Sequence, residues 1–329
     1  MIGNSAALAS ALDRVSRLAP INRPVMVLGE RGTGKELVSE RLHYLSSRWD
    51  APLVKVNCAA MAESLLDSEL FGHEAGAFTG ATRSHQGRFE RADGGTLFLD
   101  EVATMSLRLQ EKLLRLVEYG EFERIGGQQT LKVDVRVVTA TNADLKQLAA
   151  DNRFREDLLD RLSFDVVHLP SLRHRKEDIP ELAQHFAIGM CAELGWELFP
   201  GFSERAMDSL QAHPWPGNVR ELKNAVERSL YRWGIADEPV DEIVVDPFRS
   251  PFVDEEPAPE ESAAAEPAQA SNMNFNARVQ RIEQQLLREA LAENGYNQRS
   301  TAEALGLSYD QLRGMVRKYG LSTRRRDSN

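Results

Sequence analysis

Residues 24–36 read PVMVLGERGTGKE. A short apolar run, Pro24–Leu28, leads into Gly29-Glu30-Arg31-Gly32-Thr33-Gly34-Lys35, and a helical pattern begins at Glu36. G-x-x-x-x-G-K between a strand and a helix is a phosphate-binding loop. Its glycines let backbone N–H groups curl round phosphate oxygens, the helix N-terminus adds its dipole, and the lysine reaches the β- and γ-phosphates. A glycine-rich turn with an exposed lysine would carry the same letters without needing the flanking strand and helix. The general motif has Ser or Thr after the lysine to hold Mg2+. Here position 36 is Glu, so the phosphate cradle is better specified than the metal shell.

Outward from this loop, Leu53–Val56, Thr96–Leu99 and Val133–Ala140 are further short apolar runs. Between them Glu36–Ser47, Ser64–Leu70 and Arg108–Tyr119 show helical spacing, the last through Leu109, Leu113, Leu116 and Val117. Strands alternating with helices predict an α/β fold with a parallel sheet and flanking helices. From about residue 175 to 235 the strand signal disappears, which predicts an all-helical lid. The expected organisation is an α/β subdomain at 1–172, a lid at 173–245, a linker at 246–271 and a separate domain at 272–329.

Gly94-Gly95-Thr96-Leu97-Phe98-Leu99-Asp100-Glu101 is an apolar strand ending in two carboxylates. Downstream of a phosphate loop this is a Walker B arrangement, with Asp100 as the Mg2+ ligand and Glu101 polarising the water that attacks the γ-phosphate. Without that loop, the same pair would serve equally as a solvated turn or a helix cap. Thr141 and Asn142 follow one strand and Asn57 ends another, so polar groups are expected beside the same water. Taken alone, each is a turn or capping residue. Arg155 and Arg161, six apart, point to different faces of a helix. Such arginines ordinarily pair with neighbouring carboxylates. Their alternative role is to stabilise the transition state at a neighbouring subunit's γ-phosphate, which requires a ring.

The charge is unevenly spread. The 329 residues carry a net −10, with 42% apolar and 27% charged residues. Residues 246–271 hold seven acidic residues, one basic residue and five prolines, a composition that cannot bury enough surface to offset its ordering entropy. Residues 272–329 carry +4, leaving −8 for residues 1–245. The acidic average therefore says nothing against a nucleic-acid partner. Cys58 and Cys191 lie far apart with no partners at metal spacing, which argues against a disulfide framework or a zinc site. The chain contains neither a membrane-length apolar run nor a signal-peptide pattern, so a soluble, cytoplasmic protein is expected.

In the basic end, Asn276–Glu293 is amphipathic, with Val279, Ile282, Leu286, Leu287, Ala290 and Leu291 on its apolar side. A helix over Gln298–Leu305, a turn at Gly306-Leu307 and a helix from Tyr309 to Tyr319 follow, with Ser308 and Gln311 as a capping box. Leu312, Met315, Val316 and Tyr319 face inward, and Tyr309, Gln311, Arg313, Arg317 and Lys318 are the candidate DNA contacts of a helix-turn-helix. Arg324–Arg326 add at most salt-dependent phosphate contact. A protein-docking three-helix module is the alternative. The 26-residue linker spans at most roughly 85 Å when fully extended.

GERGTGKE at 29–36, ELFGHEAGAFTGA at 69–81, GGTLFLDE at 94–101 and WPGNVREL at 215–222 together resemble the AAA+ bacterial enhancer-binding proteins that activate sigma-54 RNA polymerase. The resemblance runs almost continuously through residues 1–245 and extends to the helix-turn-helix, which is similar to the Fis type. Glu36 agrees with that family, whose phosphate loop usually ends in Glu. The resemblance implies an ATP- and Mg2+-dependent AAA+ P-loop ATPase that forms a homo-hexameric ring, binds upstream enhancer DNA and remodels closed promoter complexes to open ones. It implies that Gly76, Ala77, Phe78, Thr79, Gly80 and Ala81 form a projecting loop that touches sigma-54, with Phe78 and Thr79 as the contacts. On local chemistry alone, a glycine-rich turn with Phe78 in the core is the commoner outcome. Arg155 and Arg161 match the family's trans-acting fingers, and Arg220 matches its lid sensor.

The phosphate loop begins at residue 29, with no room before it for a receiver domain. With LHYLSSRW at 42–49, this looks like the phage shock subgroup, which implies control in trans by a repressor similar to phage shock protein A during membrane stress. Trp49 is the candidate contact for it, or else packs under a loop. Two rival readings remain: another AAA+ remodeller, which has no use for GAFTGA, and a non-hydrolysing DNA-binding repressor, against which the Asp100-Glu101 pair stands.

Overall fold

Five apolar runs pair side by side into one parallel sheet. In the computed structural model, which describes residues 1–248 and 275–321, the strands are β1 (Val25–Leu28), β2 (Leu53–Asn57), β3 (Thr96–Asp100), β6 (Arg136–Thr141) and β7 (Asp165–His168), in the order β2-β3-β6-β1-β7. β4 (Glu121–Glu123) and β5 (Thr130–Lys132) form a separate antiparallel pair, too short to show a period in the sequence. In the main sheet Asn57 lies opposite Asp100, Asp100 opposite Ala140, and Leu28 opposite Thr141. The register thus brings the ends of β2, β3 and β6 level with the start of the phosphate loop.

β6 begins at Arg136 rather than Val133. The Val133 N–H donates to the Gly120 carbonyl at 2.9 Å, and the Asp134 carbonyl accepts from Gly94 at 3.0 Å, so this backbone is committed to neighbouring loops.

Helices cover both faces: α1 (Ala6–Leu18), α2 (Lys35–Tyr44), α3 (Glu63–Phe71), α4 (Arg88–Arg91), α5 (Leu107–Tyr119), α6 (Leu145–Ala150) and α7 (Glu156–Leu162). One core packs Leu97, Leu99 and Val137 of the sheet against Phe71, Phe89, Leu113 and Phe122; the other packs Val25, Val27 and Phe98 against Val15, Val38 and Leu42. α5 is the clearest amphipathic helix: Ser106 caps its start, accepting from the Leu109 N–H, and Gly120, at φ 69°, ends it. α2 stops at Tyr44, earlier than its spacing suggested, as Ser46 turns the chain by donating its hydroxyl to the His43 carbonyl at 2.6 Å.

The lid is helical as expected, built from α8 (Ile179–Leu194), α9 (Glu204–Ala212) and α10 (Asn218–Trp233) around a fully buried Trp215, whose indole N–H donates to the Leu210 carbonyl at 2.7 Å. The chain falls into two compact units that part at residues 249 and 250, so the α/β subdomain and the lid belong to one unit.

In the second unit α11 (Phe275–Glu293), α12 (Gln298–Ala304) and α13 (Tyr309–Lys318) enclose Leu287, Leu291, Ala302, Leu312 and Val316. Leu286, expected inside, is 55% exposed, because the buried stripe of α11 runs through Leu287, Ala290 and Leu291. The side chains of Val279 and Ile282, nearly all of the linker, and Arg324–Arg326 lie outside the described residues.

Candidate functional site

The phosphate loop leaves β1 at Gly29, whose N–H donates to the Thr141 carbonyl at 3.3 Å, and enters α2 at Lys35 through Gly34. Gly34 stands at φ 101° with no side-chain cap, so the first N–H groups of α2 point into the cleft. The Lys35 ammonium lies back over the loop, donating to the Gly29 and Glu30 carbonyls at 3.0 and 3.3 Å.

A cleft of about 850 Å³ opens between sheet edge and lid, bringing Lys35 and Glu36 together with Asn57, Asp100, Glu101, Asn142 and Arg220. These residues come from 35 to 220 in the chain and converge because the parallel register aligns the strand ends. Its cations are Arg31, Lys35, Arg175, Arg220 and Lys223, and its apolar wall includes Ile2, Leu182 and Phe186. A polyanion with an attached flat base fits this division.

Within the cleft, Asp100 ends β3 with its Oδ1 accepting the Glu101 N–H at 3.0 Å. Glu101 itself stands in the left-handed region at φ 54°, ψ 43°. The Asn57 side-chain oxygen accepts from Ala59 at 2.9 Å, fixing the asparagine at the edge. Behind the pair, burial first, then the charges of Asp100 and Glu101, push the Cys58 thiol up to about 12.

Several sequence candidates stand elsewhere. Thr141 is fully buried, and its hydroxyl accepts from the Ala143 N–H at 3.0 Å, so it shapes the turn that presents Asn142. Gly29 and Glu30 do not line the cleft. Glu30 turns to the lid, where Arg173 binds both its oxygens and Asn218 donates at 3.1 Å. Arg155 precedes α7 and grips Asp157 at 3.0 and 2.7 Å, and Arg161 reaches Glu118 at 2.8 Å. Both arginines lie outside the chain's own cleft, paired with neighbouring carboxylates.

Sequence reading missed the residues that join loop to lid. Asn218 is fully buried at φ 53°; its amide donates to the Arg31 carbonyl at 3.0 Å and its oxygen accepts the Leu172 N–H at 2.8 Å. The Val219 N–H donates to the Gly32 carbonyl at 3.1 Å. Gly32 must be glycine: at φ 81° a Cβ there would stand 2.2 Å from the Gly217 carbonyl oxygen. Arg175, 3% exposed, donates to the Thr33 carbonyl at 3.2 Å. The only signal for Asn218 was its place inside GNVREL.

The loop at 76–81 is a tight hairpin: the Gly76 N–H donates to the Ala81 carbonyl at 2.7 Å and the Ala81 N–H to the Phe78 carbonyl at 3.0 Å. Phe78 is 48% exposed and Thr79 and Gly80 are exposed, whereas Ala81 is buried and anchors the hairpin. The segment between β4 and β5 buttresses it, the Glu74 N–H donating to the Ile125 carbonyl at 3.0 Å.

Trp49 is 62% exposed. Its neighbour Arg48 grips Asp134 at 2.7 and 2.8 Å and donates to the Gly95 carbonyl just before β3, so this tryptophan lies at the sheet edge opposite the cleft.

In the second unit the Ser308–Gln311 capping box forms as expected, and Gly306, at φ 64°, turns α12 into α13. Tyr309, Gln311, Arg313, Arg317 and Lys318 are all exposed on α13. The Arg299 guanidinium lies 5.9 Å from the Tyr309 ring centre, tying the two helices' outer faces together.

Family profiles agree with this anatomy. The Sigma-54 interaction domain matches residues 1–168, the AAA+ ATPase lid domain residues 173–247 and the bacterial regulatory proteins of the Fis family residues 278–319. The chain belongs to the sigma-54-dependent transcriptional activators, with an AAA+ ATP-binding module and a helix-turn-helix DNA-binding domain. It is 54% identical over 321 residues, 97% of each chain, to the Psp operon transcriptional activator of Escherichia coli (strain K12). Over 230 residues it is 50% identical to the transcriptional regulatory protein ZraR of Salmonella typhimurium, covering 70% of this chain and 52% of that longer protein. Among solved structures, NtrX from Brucella abortus in complex with ATP superposes with a TM-score of 0.69 at 33% identity, over 98% of this chain and 70% of that one.

Proposed function

We propose that the chain hydrolyses ATP in a homo-hexameric ring and uses turnover to convert closed sigma-54 promoter complexes into open ones from an upstream enhancer. The observation that carries this reading is the convergence of Lys35, Asn57, Asp100, Glu101, Asn142 and Arg220 on one cleft, in a body that also presents the hairpin at 76–81.

Loop N–H groups and Lys35 take the phosphates. Glu101 orients and polarises the attacking water, and Asn57 and Asn142 offer amides beside it. Asp100 fits a magnesium ion: a hard oxygen donor at the phosphate end of the cleft. Among the described residues there is no cluster of three or more His, Cys, Asp or Glu that would make an all-protein site. Mg2+ commonly takes one or two carboxylates and completes its shell from phosphate and water. When bound, the ion would neutralise charge developing on the phosphates. Arg220 reads the nucleotide from the lid. Arg155 and Arg161, outside their own cleft, act on a neighbour's γ-phosphate, exchanging Asp157 and Glu118 for it.

The hairpin delivers the result, with Phe78 and Thr79 as the contacts. Exposed Trp49 is the docking point for a repressor similar to phage shock protein A, which would place the protein in the membrane-stress response. Its DNA and polymerase partners place it in the cytoplasm. Among the described residues no helix is long and apolar enough to cross a membrane.

The test is an ATP-dependent open-complex assay with sigma-54 holoenzyme. Wild type opens the promoter. Thr79→Ala is expected to retain ATPase activity, because Thr79 is exposed on the hairpin and outside the cleft, and to lose promoter opening. Normal opening by Thr79→Ala refutes the loop assignment.

A further inference from the structure

The hairpin tip presents a physical difficulty. Phe78 is flanked by two glycines at positive φ, Gly76 at 83° and Gly80 at 102°, and a Cβ at either would meet nothing within 4 Å. The hairpin's backbone bonds hold the chain, but no side chain at either glycine brackets the phenyl ring. A half-exposed aromatic on such a tip would sample several directions, and each lost direction weakens docking.

An aromatic contact restrains it. The Phe78 ring meets the imidazole of His73 edge to face, with centres 4.9 Å apart and planes at 63°. His73 is itself held from three sides. It exchanges backbone hydrogen bonds with His85 at 3.1 and 2.8 Å, across the neck of the hairpin. Its ring stacks on His85 at 5.6 Å and 27°. Its Nδ1 shares a 2.8 Å hydrogen bond with the Ser68 hydroxyl on α3. A freely rotating imidazole would be a poor support; this one has ring plane and height both set by a helix packed into the core. His73 lies outside the nucleotide cleft, so catalysis does not explain it.

We propose that His73 is a positioning residue that pre-sets the direction of the Phe78 ring for sigma-54, with Ser68 and His85 fixing the imidazole. The inference rests on the reading that the hairpin tip contacts sigma-54. Its energetic content is preorganisation: a ring already held in place loses less freedom on docking. The aromatic edge, rather than the imidazole's basicity, carries the effect.

The test uses the full chain and fluorescence anisotropy of labelled sigma-54, with ADP and aluminium fluoride as the hydrolysis transition-state analogue. His73→Ala is expected to weaken sigma-54 binding about three- to tenfold, the range for freeing one or two side-chain rotors, while steady-state ATPase kcat and KM stay at wild-type values. His73→Phe, which restores a ring that can stack on His85 but not the bond to Ser68, is expected to recover part of the affinity and also controls for folding. Unchanged or tighter binding by His73→Ala overturns the proposal, as does a His73→Phe variant no better than His73→Ala. Phe78→Ala separates the two layers. If it binds sigma-54 like wild type, the loop assignment itself fails. If it loses binding while His73→Ala does not, only the role of His73 fails.

Discussion

Glu101 is the residue whose backbone and chemistry are most closely joined. At φ 54° it occupies a region that non-glycine residues enter at a cost of about 1–3 kcal/mol, and such strain persists where the surroundings over-determine it. Here the surroundings are the end of a strand buried from Thr96 to Leu99 and the bond from its own N–H to Asp100. The strained turn points a carboxylate into the cleft just beyond Asp100. Glu101→Gln keeps the shape and removes the basic oxygen, so it should bind ATP normally and lose turnover by about 10²-fold or more; undiminished hydrolysis would exclude Glu101 as the polarising group. Next to it, Cys58 is 3% exposed with its thiol pushed up to about 12, so it holds its proton at any physiological pH. A thiol reagent at pH 8 should leave Cys58 untouched in the folded protein and label it on unfolding. Rapid labelling of native protein would contradict the burial.

Between elements, the join of phosphate loop and lid matters most. Asn218 opens α10 and reaches three backbone groups or side chains across the domain boundary, while Glu30 meets Arg173 and Asn218 from the other side. The bond from Arg173, then that from Asn218, holds the Glu30 carboxyl below the usual carboxylate range. A depressed carboxylate contributes above its unfolded value and loses that contribution as pH falls through its folded one, so this link stands at neutral pH and weakens only in acid. Its exposure keeps the contribution small. Asn218 is different because it is buried. Asn218→Ala strands the Leu172 N–H, at a cost of about 1–3 kcal/mol, and should also weaken ATP binding by loosening the lid over the loop. Urea unfolding and nucleotide titration measure the two effects; a wild-type midpoint with wild-type affinity would show that the join carries neither.

At the level of the whole molecule, the two compact units predict separable activities. Removing residues 272–329 takes away all of α11 to α13 and none of the sheet, cleft or lid. The truncated protein should keep its ATPase activity and lose specific DNA binding, whereas loss of both together would refute the modular picture. DNA binding by the intact chain should fall steeply with salt, because residues 272–329 carry +4 and phosphate contacts release counterions.

Four of the five sheet strands, the phosphate loop, the Asp100-Glu101 pair and the helix-turn-helix were legible from residues alone, because each rests on local periodicity or on a motif whose spacing is the mechanism; β7 and the β4–β5 pair were not. The ends of elements were less so: Val133–Val135 reads as strand but is claimed by Gly120 and Gly94, and Leu286 reads as core but faces outward by one helical step. What only the tertiary structure decided is which polar residues meet. Asn57 and Asn142 reach the cleft and Thr141 does not: register sets Asn57 level with Asp100, while Thr141 is buried with its hydroxyl accepting from Ala143 in the turn that presents Asn142. Asn218 and Arg175 gained their places through Arg31 and Thr33, which lie 187 and 142 residues away. Local sequence encodes which element forms. Contacts between distant elements depend on how the sheet stacks and the lid closes, and no window of sequence contains both sides of such a contact.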